Sequence, residues 1–275
     1  MIVDAHQHFW DPALADYPWM TGDAAPLRRR FGPEDLAPEL REHGVAGTVL
    51  VQARGSLDET GTLLQIAQAT SFVLGVVGWV DLTDPWIDAR LAGFGGKLVG
   101  VRHQVHDEAD PNWLLRSDVQ RGLAGVGEAG LAYDLLVRTR ELPAALETAR
   151  ALRDVRFVVD HLAKPPLRAG SIDSWAAALA ALAQLPNVSC KLSGLLTEAD
   201  VRCWRAAELV PYFRRALDWF GAERCMFGSD WPVCLLAADY GAVLSLVIDA
   251  LRDEERAAVL AGTAIRVYGL DPEPS

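Results

Sequence analysis

Ile2-Val3-Asp4-Ala5-His6-Gln7-His8-Phe9 is the stretch whose reading decides the fold. A short apolar β-type run ends in two imidazoles two residues apart. Residues i and i+2 of a strand point to the same side. His6 and His8 are therefore predicted to face one side at the strand's end, near enough to share one small ion or one water. A His-x-His pair alone is weak evidence. Here it ends the first of a series of strand-like runs separated by helix-like stretches.

The later runs are 46–52, 72–80, 98–103, 133–137, 156–161, 188–192 and 224–230. Each is almost wholly apolar until its last residues, as expected of strands buried on both faces of a parallel sheet. Between them, 141–153 and 175–184 are rich in Ala and Leu, and 204–220 carries apolar residues at helical spacing. Pro211 is predicted to split this last helix or to sit near a helix start. Eight β-then-α units in 275 residues match a (β/α)8 TIM barrel in count and size. The alternative, a doubly wound open sheet, more often has fewer strands and a Gly-rich first turn, and no G-x-G-x-x-G follows the first run. The whole chain, 1–275, reads as a single domain. A long insert follows strand one at 10–35, with Trp10, Tyr17 and Trp19, and is predicted to pack over the site as a lid or wall.

A net charge of −11 argues against a nucleic-acid or anionic-membrane partner, since either needs a basic surface. There is no signal-peptide pattern and no apolar run near the ~20 residues of a membrane helix. Cys190, Cys203, Cys225 and Cys234 lack metal-type spacing and read as buried, reduced thiols of a cytoplasmic protein. No repeat or heptad bears on the oligomeric state.

The C-terminal strand ends of a (β/α)8 barrel form the active face. Reading those ends gives His6 and His8, then Arg102, His103 and Gln104, with His106 just beyond. They continue with Asp160, His161 and Lys164, and finish with Asp230 and Trp231. The opposite ends offer only Ile2, Ala46 and Phe72. Bland roles compete: Asp230 as a helix cap, His103 and His106 as loop histidines, Arg102 in an internal ion pair. Asp4 reads as a buried hydrogen-bonding residue behind the histidines. Strands one and eight are neighbours when a barrel closes, so His6, His8 and Asp230 should converge. Two imidazoles and a carboxylate suit one divalent ion such as Zn2+. The same groups can instead hold a water directly, with Asp230 as general base, and the sequence leaves both open.

Four motifs now stand together: Val3-Asp4-Ala5-His6-Gln7-His8-Phe9-Trp10, Gly100-Val101-Arg102-His103, Asp160-His161-Leu162-Ala163-Lys164-Pro165 and Phe227-Gly228-Ser229-Asp230-Trp231-Pro232. In this order they resemble the amidohydrolase superfamily, and within it the amidohydrolase 2 branch of sugar lactonases acting on L-fucono- and L-rhamnono-lactones. The resemblance implies a (β/α)8 barrel that hydrolyses a small cyclic ester. It implies site roles for His6, His8, His161 and Asp230. It also implies that Arg102, His103 and Lys164 bind substrate or steady an oxyanion. Gln104, Trp10 and Trp231 join the expected substrate contacts, beside Gln52, Arg54, Trp19 and Trp79. The chain departs from the wider superfamily at two ligand positions, with Arg102-His103 where binuclear members carry a lysine and no histidine in 133–137. A binuclear centre is therefore not expected, and one divalent ion, required or not, is. The rival readings are a metal-dependent decarboxylase or amidohydrolase, and a sugar-binding protein on an inactive barrel.

Overall fold

The computed structural model describes residues 1–168 and 171–272. Eight strands form one sheet in sequence order: β1 (Ile2–Gln7), β2 (Val45–Val51), β3 (Val73–Gly78), β4 (Leu98–His103), β5 (Ala132–Leu135), β6 (Arg156–Val159), β7 (Val188–Leu192) and β8 (Cys225–Phe227). Every adjacent pair from β1 to β8 is parallel. Closure comes just beyond β8. Asp230 N donates to His6 O at 2.8 Å, and His8 N donates to Trp231 O at 2.7 Å. The (β/α)8 expectation holds, and the contact that closes the barrel is the one that carries the candidate site.

The helices α1 (Pro33–Glu42), α2 (Leu57–Ala69), α3 (Ile87–Gly93), α4 (Ser117–Glu128), α5 (Leu142–Ala151), α6 (Asp173–Ala183), α7 (Leu195–Glu198), α8 (Ala206–Phe220), α9 (Tyr240–Ala250) and α10 (Thr263–Tyr268) fill the spaces between and after the strands. Their starts follow from local chemistry. Pro33 opens α1 where its missing N–H costs nothing, and the Ser56 and Asp239 side chains cap α2 and α9. Pro211 lies in the second turn of α8, which runs unbroken. Strand interiors are apolar because both faces are covered. Val3, Val49, Val77, Ala132, Val158 and Met226 form one buried cluster with Val267 and Tyr268 of α10. Cys190, Cys225 and Cys234 are buried as expected, whereas Cys203 is exposed. Among the described residues no helix is long and apolar enough to cross a membrane.

The insert after β1 folds back on the barrel. Trp10 pairs with Phe31 across an antiparallel bridge, and Tyr17, Met20 and Leu27 are buried between. The Trp10 indole N–H reaches the carbonyls of Leu27 and Arg29 at 3.1 Å each, which seats the ring beside the ends of the strands.

Candidate active site

Three imidazoles meet one carboxylate at the C-terminal mouth of the barrel. His6 Nε2 lies 3.2 Å from His8 Nε2. Asp230 Oδ1 lies 3.4 Å from His8 Nε2, 3.7 Å from His6 Nε2 and 3.8 Å from His161 Nε2. His6, His161 and Asp230 each place a ligand atom within 4.8 Å of the other two, and His8 joins through His6 and Asp230. His161 is thus brought into the cluster expected from His6, His8 and Asp230.

Each side chain is aimed by its backbone. β6 stops at Val159, two residues short of the expected end, and His161 to Lys164 turn left-handed with φ between +48° and +55°. Asp230 has φ +58°. Such backbone costs about 1–2 kcal/mol per residue away from glycine, and strain of this kind collects at functional sites. Fixed partners hold it. The Trp175 indole N–H donates to Leu162 O at 2.7 Å, and His161 Nδ1 is 2.8 Å from Ser193 Oγ. The Asp230 carboxylate faces the histidines and caps no helix. Behind β1, Asp4 accepts from His6 N, Ser229 N, Ser229 Oγ and the Tyr240 hydroxyl at 2.6–3.1 Å, which ties β1 to the turn that carries Asp230.

The electrostatics leave neutral rings around an ionised acid. Burial holds His6, His8 and His161 below the usual imidazole range, His161 at about 4. Burial alone would raise Asp230, but His161, His8 and His6 together keep its carboxyl well below the usual range. His8 Nδ1 is 2.8 Å from the Val51 carbonyl. That oxygen can only accept, so the His8 proton is on Nδ1 and a lone pair on Nε2 faces the centre. Four donors about 2.0–2.2 Å from a tetrahedral zinc stand roughly 3.3–3.6 Å apart. The Asp230 oxygen lies 3.4–3.8 Å from the three imidazole nitrogens, and His6, His161 and Asp230 place one donor each within 4.8 Å of one another, so this donor set could hold one divalent ion.

A cavity of about 200 Å³ opens on this centre. Trp10, Trp19, Arg102, Gln104, His106 and Lys164 line it beside His8, His161 and Asp230. Arg102 is tied down, donating to Asp160 Oδ2 at 2.9 Å and to Gln52 Oε1 at 3.0 Å. Lys164 is 3.2 Å from Glu198, which also holds Arg138. Two expected contacts are elsewhere. His103 follows Arg102 on β4 and so points the other way. Its ring takes the Trp79 indole N–H at 3.0 Å, meets Glu108 at 2.7 Å and stacks on Trp113. Trp231 is buried against Phe9 and Phe31 and does not line the cavity. Sequence reasoning missed Lys191 of β7 and Asp134 of β5, which are 2.5 Å apart and fully buried beneath His6. A charged residue inside each otherwise apolar strand was the available signal.

A family model described as amidohydrolase (Amidohydro_2) matches residues 3–270. An L-fucono-1,5-lactonase of Burkholderia ambifaria is 42% identical over 98% of this chain and 96% of its own. One from Burkholderia multivorans is 43% identical over 99% and 97%. A crystal structure of a Burkholderia multivorans amidohydrolase with bound zinc superposes with a TM-score of 0.94 at 42% identity, over 98% of this chain and 100% of that one. A family match spanning nearly every strand, and relatives matched almost end to end, agree with the site at the barrel's mouth: this chain belongs to the amidohydrolase family.

Proposed function

We propose that this protein is a lactonase of the cytoplasm that opens a sugar lactone, an aldonolactone of the L-fucono or L-rhamnono type, to the free sugar acid. The observation that carries the reading is the convergence of His6, His8 and His161 on the Asp230 carboxylate inside a cavity walled by Trp10 and Trp19. Its volume, about 200 Å³, is below the roughly 300–1,000 Å³ of sites for drug-sized ligands and suits a single sugar ring. The full-length relatives named L-fucono-1,5-lactonase support the same substrate class.

In this reading a water lies between His6, His8 and Asp230. Asp230 is ionised at neutral pH and accepts the water's proton as its oxygen attacks the lactone carbonyl. The oxyanion that forms is met by donors from Arg102 and Lys164, and by His161 when its Nε2 carries the proton and holds no ion. Collapse breaks the ring C–O bond, and Asp230 returns the proton to the departing ring oxygen. Water is thereby added across the ester, with no other reactant. Gln104 binds sugar hydroxyls, and Trp10 and Trp19 cover an apolar face of the ring. His6, His8, His161 and Asp230 would hold one divalent ion, zinc by the donor set. Such an ion supplies Lewis-acid activation of water and carbonyl.

A pH-indicator assay on a panel of aldonolactones, with and without a chelator, tests the proposal. Rapid turnover of one sugar lactone is expected, with activity lost to the chelator and restored by zinc. No acceleration over the spontaneous rate on any lactone overturns the substrate class.

A further inference from the structure

Gln52 directly follows β2, is fully buried and does not line the cavity. Its amide is held between two residues that do line it, Arg102 and Gln104. Arg102 Nη2 donates to Gln52 Oε1 at 3.0 Å and to the Gln52 main-chain carbonyl. Gln52 Nε2 donates to Gln104 Oε1 at 3.1 Å and to the Arg102 carbonyl at 3.4 Å. Gln104 Nε2 in turn donates to the Ala53 carbonyl at 3.3 Å. The same oxygen takes the Trp19 indole N–H at 3.0 Å. Ala53 is itself fixed, because Glu59 Oε2 accepts from the main-chain N–H groups of Ala53 and Arg54 at 3.0 Å each.

The direction of each bond is set by chemistry. A guanidinium only donates and a carbonyl only accepts. Arg102 Nη2 therefore requires an oxygen from the Gln52 amide, and the Arg102 carbonyl requires an N–H. Both demands are met by one orientation of Gln52. Its Nε2 then requires an acceptor from Gln104, and the Ala53 carbonyl requires a donor. Both demands are met by one orientation of Gln104. Turning either amide over sets donor against donor at one end and acceptor against acceptor at the other.

We infer that Gln52 is a positioning residue for sugar recognition: it fixes which way the Gln104 amide faces, and so which hydrogen-bonding groups Gln104 offers a ring hydroxyl beside Trp19. One amide hydrogen and one lone pair of Gln104 remain for a ligand. A hydroxyl, which both donates and accepts, matches that pair. Trp19 and Gln104 are bonded to the same carbonyl, so an aromatic face and a polar edge meet at one corner of the cavity. The recognition role rests on the reading that the substrate is a sugar lactone; the amide orientation does not.

Gln52→Glu tests this with little change of shape. The carboxylate still accepts from Arg102, but its other oxygen faces the Arg102 carbonyl and Gln104 Oε1 with no proton between them. Neither orientation of Gln104 then satisfies both that carboxylate and the Ala53 carbonyl. KM for L-fucono-1,5-lactone should rise about five- to tenfold, the worth of one hydrogen bond, with a smaller change in kcat. Gln104→Leu should raise KM alike, and the two substitutions together no further, because both remove the same contact. Gln52→Met, uncharged and of similar length, serves if Gln52→Glu does not fold, with the same rise in KM expected. Glutamine-selective 15N NMR without substrate reads the amides apart from activity. The Gln104 side-chain signals, assigned by their loss in Gln104→Leu, should shift in each Gln52 variant. Unmoved Gln104 signals overturn the inference. So do an unchanged KM in folded Gln52 variants and KM effects that multiply in the double variant. An unaltered protein that opens no lactone defeats the recognition role together with the substrate reading, and the amide spectra still decide the orientation.

Discussion

Replacing Gly194 with alanine tests whether the orientation of His161 matters to the reaction. Gly194 precedes α7 with φ +62°, and a Cβ added there would lie 2.4 Å from His161 Nδ1 and 2.5 Å from its Cγ. Non-bonded carbons settle at about 3.5–4.0 Å, so the ring must retreat by roughly 1 Å. That breaks the 2.8 Å contact with Ser193 Oγ and draws Nε2 away from Asp230. A misplacement of this size costs about 10²-fold in rate. Left-handed backbone adds about 1–2 kcal/mol for alanine, which for a domain of this size lowers Tm by about 2–4 °C per kcal/mol. Gly130 is the control: its φ is +71°, and nothing lies within 4 Å of an added Cβ. Gly130→Ala carries the same backbone strain far from the centre. Kinetics on L-fucono-1,5-lactone, with thermal melts of both variants, are expected to show a Tm drop in each and a loss of kcat/KM of about 10²-fold in Gly194→Ala alone. Equal activity in the two variants would refute the reasoning about His161.

Two further outcomes follow from side chains near the cavity. Burial, reinforced by Lys164 and Arg138, lowers His106 to about 3. The unfolded chain takes up that proton below about 6.5 and the folded chain does not, so stability declines as pH falls from 6.5 towards 3. His106→Gln should flatten this decline in urea titrations between pH 7 and 4, and an unchanged slope would contradict the assignment. His103→Phe leaves the Trp79 indole N–H without its acceptor and should cost about 1–3 kcal/mol of stability with KM and kcat preserved in the folded fraction. Gln104→Leu, one residue on and in the cavity wall, should raise KM; a raised KM in His103→Phe would return that ring to the substrate.

The barrel was legible because apolar runs ending in polar residues recur between helix-like stretches, and because strand order in a parallel barrel follows the chain. Strand ends were less so. β6 was read through His161, but hydrophobicity does not report the sign of φ, and the chain turns left-handed after Asp160. The alternation that predicts His6 and His8 on one side also separates Arg102 from His103, yet strand-end position alone placed both at the substrate. Asp230 was found because β1 and β8 must meet when the sheet closes. Lys191 and Asp134 were missed because each makes sense only beside its partners. They are distant in the sequence and share a hydrogen-bonded layer under His6.

The central claim is that Asp230 activates water for attack on a sugar lactone. Its most direct test is kcat/KM for L-fucono-1,5-lactone measured side by side on the unaltered protein and Asp230→Asn, both shown to be folded by melting. Asparagine keeps the shape and cannot accept the proton, so the account expects turnover by the unaltered protein and a loss of about 10²–10⁴-fold in the variant. A near-normal rate in Asp230→Asn would contradict it.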